Sequence, residues 1–366
     1  MKMVALDKEV LIRKRRKTRF LLNVLLVIGI FLFLSRADHL LDPYTIRILN
    51  VSAVYMVLAM AYNLVNGTLG QFMLGPNAFI ALGAYTVALL TMPVDKKAMS
   101  YIIEPLIWPF NSICLPLFPS LLIAGIIGAG AAYLVGMPSF KLRGDYLAIV
   151  TLGFGEMVVV LANNLVPITN GALGLKDIPR YVNLYWTWGW ALLTYFFMRL
   201  LRTSSYGRAF EAIREDEIAA EGIGIDVRRH KLLALTIAGF FLGVGGGLLA
   251  SLLGTIDPKL FSFFFTFNLL IIIVFGGLGS FTGAAIASLV FVVLSELLRA
   301  VENPINIGPI HIPGIPGMRM VVFSLLLIFV MLYWQRGLFG RKELSWDFLL
   351  NRLFPLEGVE KDEGSS

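Results

Sequence analysis

Residues 232–253 read LLALTIAGFFLGVGGGLLASLL, a run with no charged side chain. An α-helix needs about 20 apolar residues to cross the hydrocarbon core of a bilayer. In lipid the backbone must pair its polar groups within the segment, so a helix is the form this run can take. Gly239, Gly243 and Gly247 recur at every fourth position and line one side of that helix. Small residues at this spacing let a second backbone approach closely, which is how helices associate without a hydrophobic drive between them. The run predicts a membrane helix made to pack on others.

Working outward, the same pattern of apolar runs between Gly, Pro and charged punctuation predicts ten helices. They lie near 20–34, 45–65, 74–92, 113–136, 145–166, 184–201, 232–253, 260–276, 282–298 and 319–334. Two more ridges of small residues appear, Ala124-Gly128-Ala132-Gly136 and Gly279-Gly283-Ala287. The fold class expected is an all-α polytopic membrane bundle. Composition agrees: 57% of the 366 residues are hydrophobic and 15% charged, where a soluble domain carries about a quarter charged. That excludes an ordinary soluble enzyme. The lone cysteine, Cys114, excludes a disulfide framework.

The net charge of +7 gains meaning from its placement. Seven of the 31 Lys and Arg fall in residues 13–36 around the first apolar run, as orientation signals do. That run has the basic leader of a signal peptide, but FLFLSRADHLLD offers no small-residue cleavage site, so a retained anchor is expected. With the N-terminus inside and ten crossings, 22 of the 31 basic residues fall on the inner side, which places both termini in the cytoplasm. The chain then divides into a basic N-terminus (1–19), a transmembrane domain (20–340) carrying an inner loop (202–231), and a C-terminal tail (341–366).

Polar residues inside apolar runs are costly and seldom face lipid. Glu156 sits mid-run in GDYLAIVTLGFGEMVVVLANN, and Gly153, Asn163 and Asn164 share its helical face. Ser52, Ala59, Asn63 and Asn66 form a second stripe on the second run. Such residues either line a solute pathway or hydrogen-bond neighbouring helices, and both readings stay open for Glu156, Asn163, Asn164 and Asn63. One pattern recurs: Gly67-Thr-Leu-Gly-Gln-Phe72 and Gly276-Gly-Leu-Gly-Ser-Phe281 share G-x-L-G-x-F. Transporters often contain internal repeats, but six positions do not establish a duplication, since Gly-rich turns converge easily.

The segment RTSSYGRAFEAIREDEIAAEGIGIDVRRHK (202–231) is the longest charged stretch between runs. Ser204 or Ser205 can cap a short helix that Gly222 or Gly224 ends, with Phe210, Ile213 and Ala220 on one apolar side. An amphipathic helix of this kind suits a groove on another protein. Five acidic residues within 211–221 weigh against its lying on lipid. Chemistry of other kinds has no visible seat. There is no G-x-x-x-x-G-K-[ST] phosphate loop, and the three histidines, His39, His230 and His311, are scattered. No metal, cofactor or catalytic residue is expected in this chain, and energy must come from a partner.

Ala219-Ala220 followed by Gly224 resembles the EAA-x-x-x-G pattern of permeases in ATP-binding-cassette importers, with Glu217 one place earlier than the family's acid and Ile218 in its place. RGDYLAIVTLGFGE (143–156), GRAFEAIREDEIAAEGIGID (207–226), FGGLGSFTGA (275–284) and QRGLFG (335–340) resemble, in that order, the LivM-type branched-chain amino-acid permeases and their urea-type relatives. The resemblance implies an inner-membrane permease subunit of a binding-protein-dependent importer of branched-chain or related small amino acids, with urea or a short amide as the alternative solute. It implies a homologous LivH-like permease partner, two cytoplasmic ATPase subunits that bind the ATP, and a periplasmic or lipid-anchored solute-binding protein. ATPase coupling then falls to Arg208, Glu211, Arg214, Glu217, Ala219, Ala220 and Gly224. Outer loops near 93–112, 167–183 and 300–318 would meet the binding protein, with Lys176, Asp177, Arg180 and Glu302 supplying charge. Two segments depart from the family pattern, Met73-Leu-Gly-Pro76 and Thr169-Asn-Gly-Ala-Leu-Gly-Leu175. A different class of reading, a secondary transporter driven by an ion gradient at Glu156, predicts uptake by the chain alone.

Overall fold

The apolar segments are helices wherever the structure, a computed structural model, describes them. Described are residues 41–333 except 102–103, 142–145, 303–304, 308–309 and 313–316, with isolated positions at 18, 22, 29, 31, 36, 337, 338, 340 and 343. The expected first span, the basic leader and the tail lie outside these residues apart from those single positions. Residues 43–342 form one compact unit.

Within residues 43–342 the long elements are α1 (Pro43–Asn63), α2 (Pro76–Thr91), α4 (Leu117–Ser139), α5 (Tyr146–Asn164), α6 (Leu184–Thr203), α9 (Val227–Leu253), α10 (Phe263–Gly276), α11 (Phe281–Glu302) and α12 (Met318–Tyr333). Shorter ones are α3 (Val94–Ser100), α7 (Ser205–Glu215) and α8 (Glu217–Gly222). Local chemistry sets their ends. Pro76 opens α2, where its missing N–H is no loss. Asn183 and Asp226 cap α6 and α9 by accepting from the backbone N–H groups of Trp186 and Arg229. Gly254, at φ +76°, ends α9 in the left-handed turn that favours glycine.

Among the described residues five helices are both long and apolar enough to cross a bilayer: α1 with its π-helical extension to Thr68, α4, α5, α9 and α11. Helices α2, α10 and α12, with 16, 14 and 16 residues, reach only about 21–24 Å at 1.5 Å per residue. Length and apolar character together thus mark five of the described helices as candidate spans, or six if the bent pair α2 and α3 counts as one; the first of the ten expected runs lies outside the described residues. The 93–112 and 300–318 segments are also more ordered than plain loops. Helix α3 follows α2 at a bend of 118°, and Ile305–Ile307 pairs antiparallel with Ile310–Ile312 inside the 300–318 segment.

Helix α9 is the centre of the bundle, packed on α4, α2 and α1, while α11 packs on α1 and α10. The first two glycine ridges meet each other. A β-carbon on Gly239 would strike the Ala132 methyl and the Gly128 carbonyl, and one on Gly243 would strike the Ala124 carbonyl. Gly283, in the third ridge, lies against Gly276. Tyr62, Phe79, Phe210, Phe261 and Phe281 fill the remaining space and are fully buried. Buried hydroxyls on the helices turn back onto their own chain: Thr91, Thr194 and Ser288 each donate to the carbonyl four residues earlier.

Candidate functional site

The 202–231 segment folds as two helices, α7 and α8, where the sequence suggested one. The break falls at Asp216, whose backbone is extended and whose carboxylate accepts from the N–H groups of Ile218 and Ala219 at 2.8 and 2.9 Å. An Asp that satisfies orphan donors from outside the helix starts a new one instead of continuing the old. Ser204, as expected, caps α7 by accepting from Gly207 N–H. Gly224 closes α8 at φ +88°, with its N–H on the Glu221 carbonyl and Ile225 N–H on the Ala220 carbonyl, the double closure of a Schellman turn.

The inner side of this pair is anchored by charge as well as by buried Phe210, Ile213 and Ala220. Arg214 donates to the Gly67 carbonyl at 2.9 Å and pairs with Glu215 at 2.9 Å. Arg202, at the end of α6, donates to the Gly279 carbonyl at 2.9 Å and pairs with Glu211 at 3.0 Å. Buried Lys231 pairs with Glu217 at 2.6 Å and lies over the Phe140 ring. Glu211, Arg214, Glu217 and Ala220 thus face the bundle, while Arg208, Ala219 and Gly224 are exposed. Beside them Ile218 and Ile223 are 76% and 77% exposed, an apolar patch left uncovered among the described residues. A β-carbon on Gly224 would meet nothing within 4 Å, so the requirement there is conformational and the space around it is open.

Arg202 and Lys231 went unremarked in the sequence. They flank the loop at helix ends, where basic residues read as orientation signals, and only the fold brings them to Glu211 and Glu217. Asn63, read as a pathway stripe, is fully buried and has its amide engaged by backbone. Its Oδ1 accepts from Gly279 N–H at 3.0 Å and its Nδ2 donates to the Ser280 carbonyl at 2.9 Å. The structure therefore sets Asn63 apart from the other three pathway candidates.

Those three stay together on α5. Glu156 and Asn164 are exposed and Asn163 is half-buried. Both asparagines donate to their own helix, at Val159 and Val160, so neither reaches a neighbouring element. Glu156 makes no hydrogen bond or ion pair among the described residues, and Met157, Val160 and Leu161 beside it are exposed. An acid on an apolar helix needs protein or water opposite it, and among the described residues no side chain pairs with it. The buried side of α5 carries Thr151, which accepts from Leu74 N–H at 3.1 Å, and Gly155, which lies against the Asn77 amide. Met73 and Pro76, the departures noted above, are buried on that side and away from Glu156.

At the opposite end of the bundle the 93–112 and 167–183 segments join into one platform. Ile107 N–H donates to the Pro167 carbonyl, Tyr101 to Ile168, and Asn170 to Ser100. Lys97 is buried beneath it with its ammonium on the Phe110 and Ile113 carbonyls. Lys176, Asp177 and Arg180 are exposed there, and Trp108 in the 93–112 segment is 76% exposed. The side chain of Glu302 lies outside the described residues.

Comparison with known proteins agrees with these features. The family model of the branched-chain amino acid transport system permease component matches residues 44–331. The LivM permease protein of the high-affinity branched-chain amino acid system of Escherichia coli K12 is 36% identical over 290 residues, covering 70% of this chain and 64% of that protein. The corresponding LivM of Salmonella typhimurium is 34% identical over 318 residues, covering 77% and 69%. The LivH permease of the same Salmonella strain is 24% identical over 325 residues, covering 81% and 94%. The chain thus spans about two thirds of the length of these LivM relatives. No solved structure matches it. The chain belongs to the family of branched-chain amino acid transport system permease components.

Proposed function

We propose that this chain is the membrane permease subunit of a binding-protein-dependent, ATP-driven importer of branched-chain or related small amino acids. In this reading it crosses the bacterial inner membrane ten times with both termini in the cytoplasm, and works beside a homologous LivH-like permease. Two cytoplasmic ATPase subunits bind the ATP and dock on α7 and α8, and a solute-binding protein delivers solute to the 93–112 and 167–183 platform. The observation that carries the reading is the two-sided build of α7 and α8: Glu211, Arg214 and Glu217 tie the pair to the bundle, while Arg208, Ile218, Ala219, Ile223 and Gly224 are exposed to a partner. The solute would pass along the face of α5 bearing Glu156, Asn163 and Asn164, closed on its far side by the partner permease. Asn63 then serves the packing of the turns.

Uptake of labelled leucine into vesicles tests this, with the chain alone and with the partner permease, ATPases and binding protein added. Uptake is expected only with the full set and ATP. Uptake by the chain alone on an ion gradient would transfer the role of Glu156 to a secondary transporter. Gly224→Val, which forces a β-branched residue into the left-handed region, is expected to abolish solute-stimulated ATP hydrolysis while leaving membrane insertion intact; unchanged stimulation would remove the docking assignment. Charge reversal at Lys176 and Arg180 is expected to weaken delivery by the binding protein in a salt-dependent way.

A further inference from the structure

The two G-x-L-G-x-F turns, far apart in sequence, lie against each other. A β-carbon on Gly67 would collide with the Gly279 backbone and with Asn63 Oδ1. The fourth residue of each turn, Gly70 and Gly279, has the same left-handed backbone, at φ +75° and +88°. Asn63 bridges the pair by its bonds to Gly279 and Ser280. Each turn then receives one guanidinium: Arg214 on the Gly67 carbonyl, its stem against Gly70, and Arg202 on the Gly279 carbonyl. Each guanidinium also holds a carboxylate of α7, Glu215 and Glu211. The C-terminal motif reaches the same place, with Leu338 N–H on the Phe275 carbonyl and Gly337 against Gly277. The first turn ends α1 and leads into α2; the second joins α10 to α11.

On the reading of α7 and α8 as the ATPase footing, we propose that Arg202, Arg214 and Asn63 are the positioning residues that lock α7 to both turns, so that a push on α7 moves four helices of the bundle as one body. Two properties make arginine the fitting residue. Its fork reaches a carbonyl and a carboxylate together, and it stays charged when half-buried; a lysine keeps the charge and loses the fork. Glycine in the turns lets the backbones meet closely enough for Asn63, four residues before the first turn, to bond the backbone of the second.

The test uses the complete reconstituted importer. Spin labels at two exposed positions, Tyr206 on α7 and Leu278 in the second turn, in a Cys114→Ser background, report whether helix and turn move together. The distance distribution is expected to be the same with and without ATP. A distance that shifts between the two states would show α7 sliding over the turns and would overturn the lock. Arg214→Lys, and separately Gly70→Ala, which displaces the Arg214 stem without touching its charge, should each keep ATPase capture and hydrolysis while solute moved per ATP falls roughly tenfold, within the usual range of site-to-site coupling. Unchanged solute per ATP in both variants overturns the proposal. Loss of ATPase capture in these variants also overturns it, because Arg214 would then serve docking alone. Failure of the unaltered chain to capture the ATPases would sink the footing reading, and the lock with it.

Discussion

Helices α9 and α5 are both long and apolar enough to cross a bilayer, with mean hydropathies of 2.1 and 1.7, yet 72% of the apolar window of α9 is buried in this chain and only 33% of that of α5. The sequences explain the contrast. Helix α9 carries glycine at every fourth position, so α4 and α2 approach to backbone contact. Helix α5 puts Gly153, Glu156 and Asn164 on an exposed face. One helix is completed within the subunit. The other has a finished inner side, at Thr151 and Gly155, and an outer side that is exposed.

The contrast is broken most severely by filling the α4–α9 seam. Gly239→Leu drives a side chain into the Ala132 methyl and the Gly128 carbonyl, and backbone cannot yield as a flexible side chain can. Overpacking of this kind costs about 1–3 kcal/mol or more. Thermal melting in detergent should show a large fall or no folded protein at all. The matching change on α5 should do the opposite. Nothing lies within 4 Å of a β-carbon on Gly153, and replacing an exposed helical glycine gains up to ~1 kcal/mol of helix propensity. Gly153→Leu is expected to hold or raise the melting temperature of the isolated subunit while co-purification of the partner permease is lost. A fall in stability like that of Gly239→Leu would mean that α5 is already covered within this chain.

Glu156→Gln sharpens the comparison at one atom. The amide keeps shape and polarity and removes the charge. Since Glu156 has no partner among the described residues to lose, the melting temperature should not change. Uptake by the full importer should fall roughly tenfold, an increase of ~1.4 kcal/mol in the barrier. Uptake at full rate would assign the acid to packing between subunits.

Much of this fold is legible in the sequence, because apolar period and small-residue spacing are local signals. The α4 and α9 ridges read as packing surfaces, and they pack on each other. Phe210, Ile213 and Ala220 read as one apolar side, and all three are buried. What the sequence hides depends on fold-wide geometry. Asn63 on a polar stripe looks like Asn163 on another; only the return of the chain 216 residues later puts Gly279 within its reach. Arg202 looks like an ordinary basic helix end until α7 folds back to offer Glu211. The split at Asp216 was readable in principle, as a capping residue amid helix formers, but a strong run of such formers masked it. Hydropathy marks where apolar runs lie but not how long each helix becomes: α2, α10 and α12 are apolar and shorter than a full span.

The mildest change asks whether the α5 face is polar by design or only by exposure. Asn164 donates to Val160 on its own helix, so Asn164→Ala removes no tie to another element, and an exposed substitution of this sort shifts stability by at most ~0.5 kcal/mol. If the face lines a wetted passage, its amide still offers a carbonyl oxygen to solute or water, and uptake should fall two- to threefold, roughly 0.5 kcal/mol in the barrier. Asn163→Ala should match it, since Asn163 has the same i−4 bond and shares the face. Equal small losses at both sites, with unchanged partner capture, would mark a passage. A loss of partner capture would instead mark the two amides as contacts between subunits, and Glu156 would then stand as the one polar group on that face with a claim on the solute.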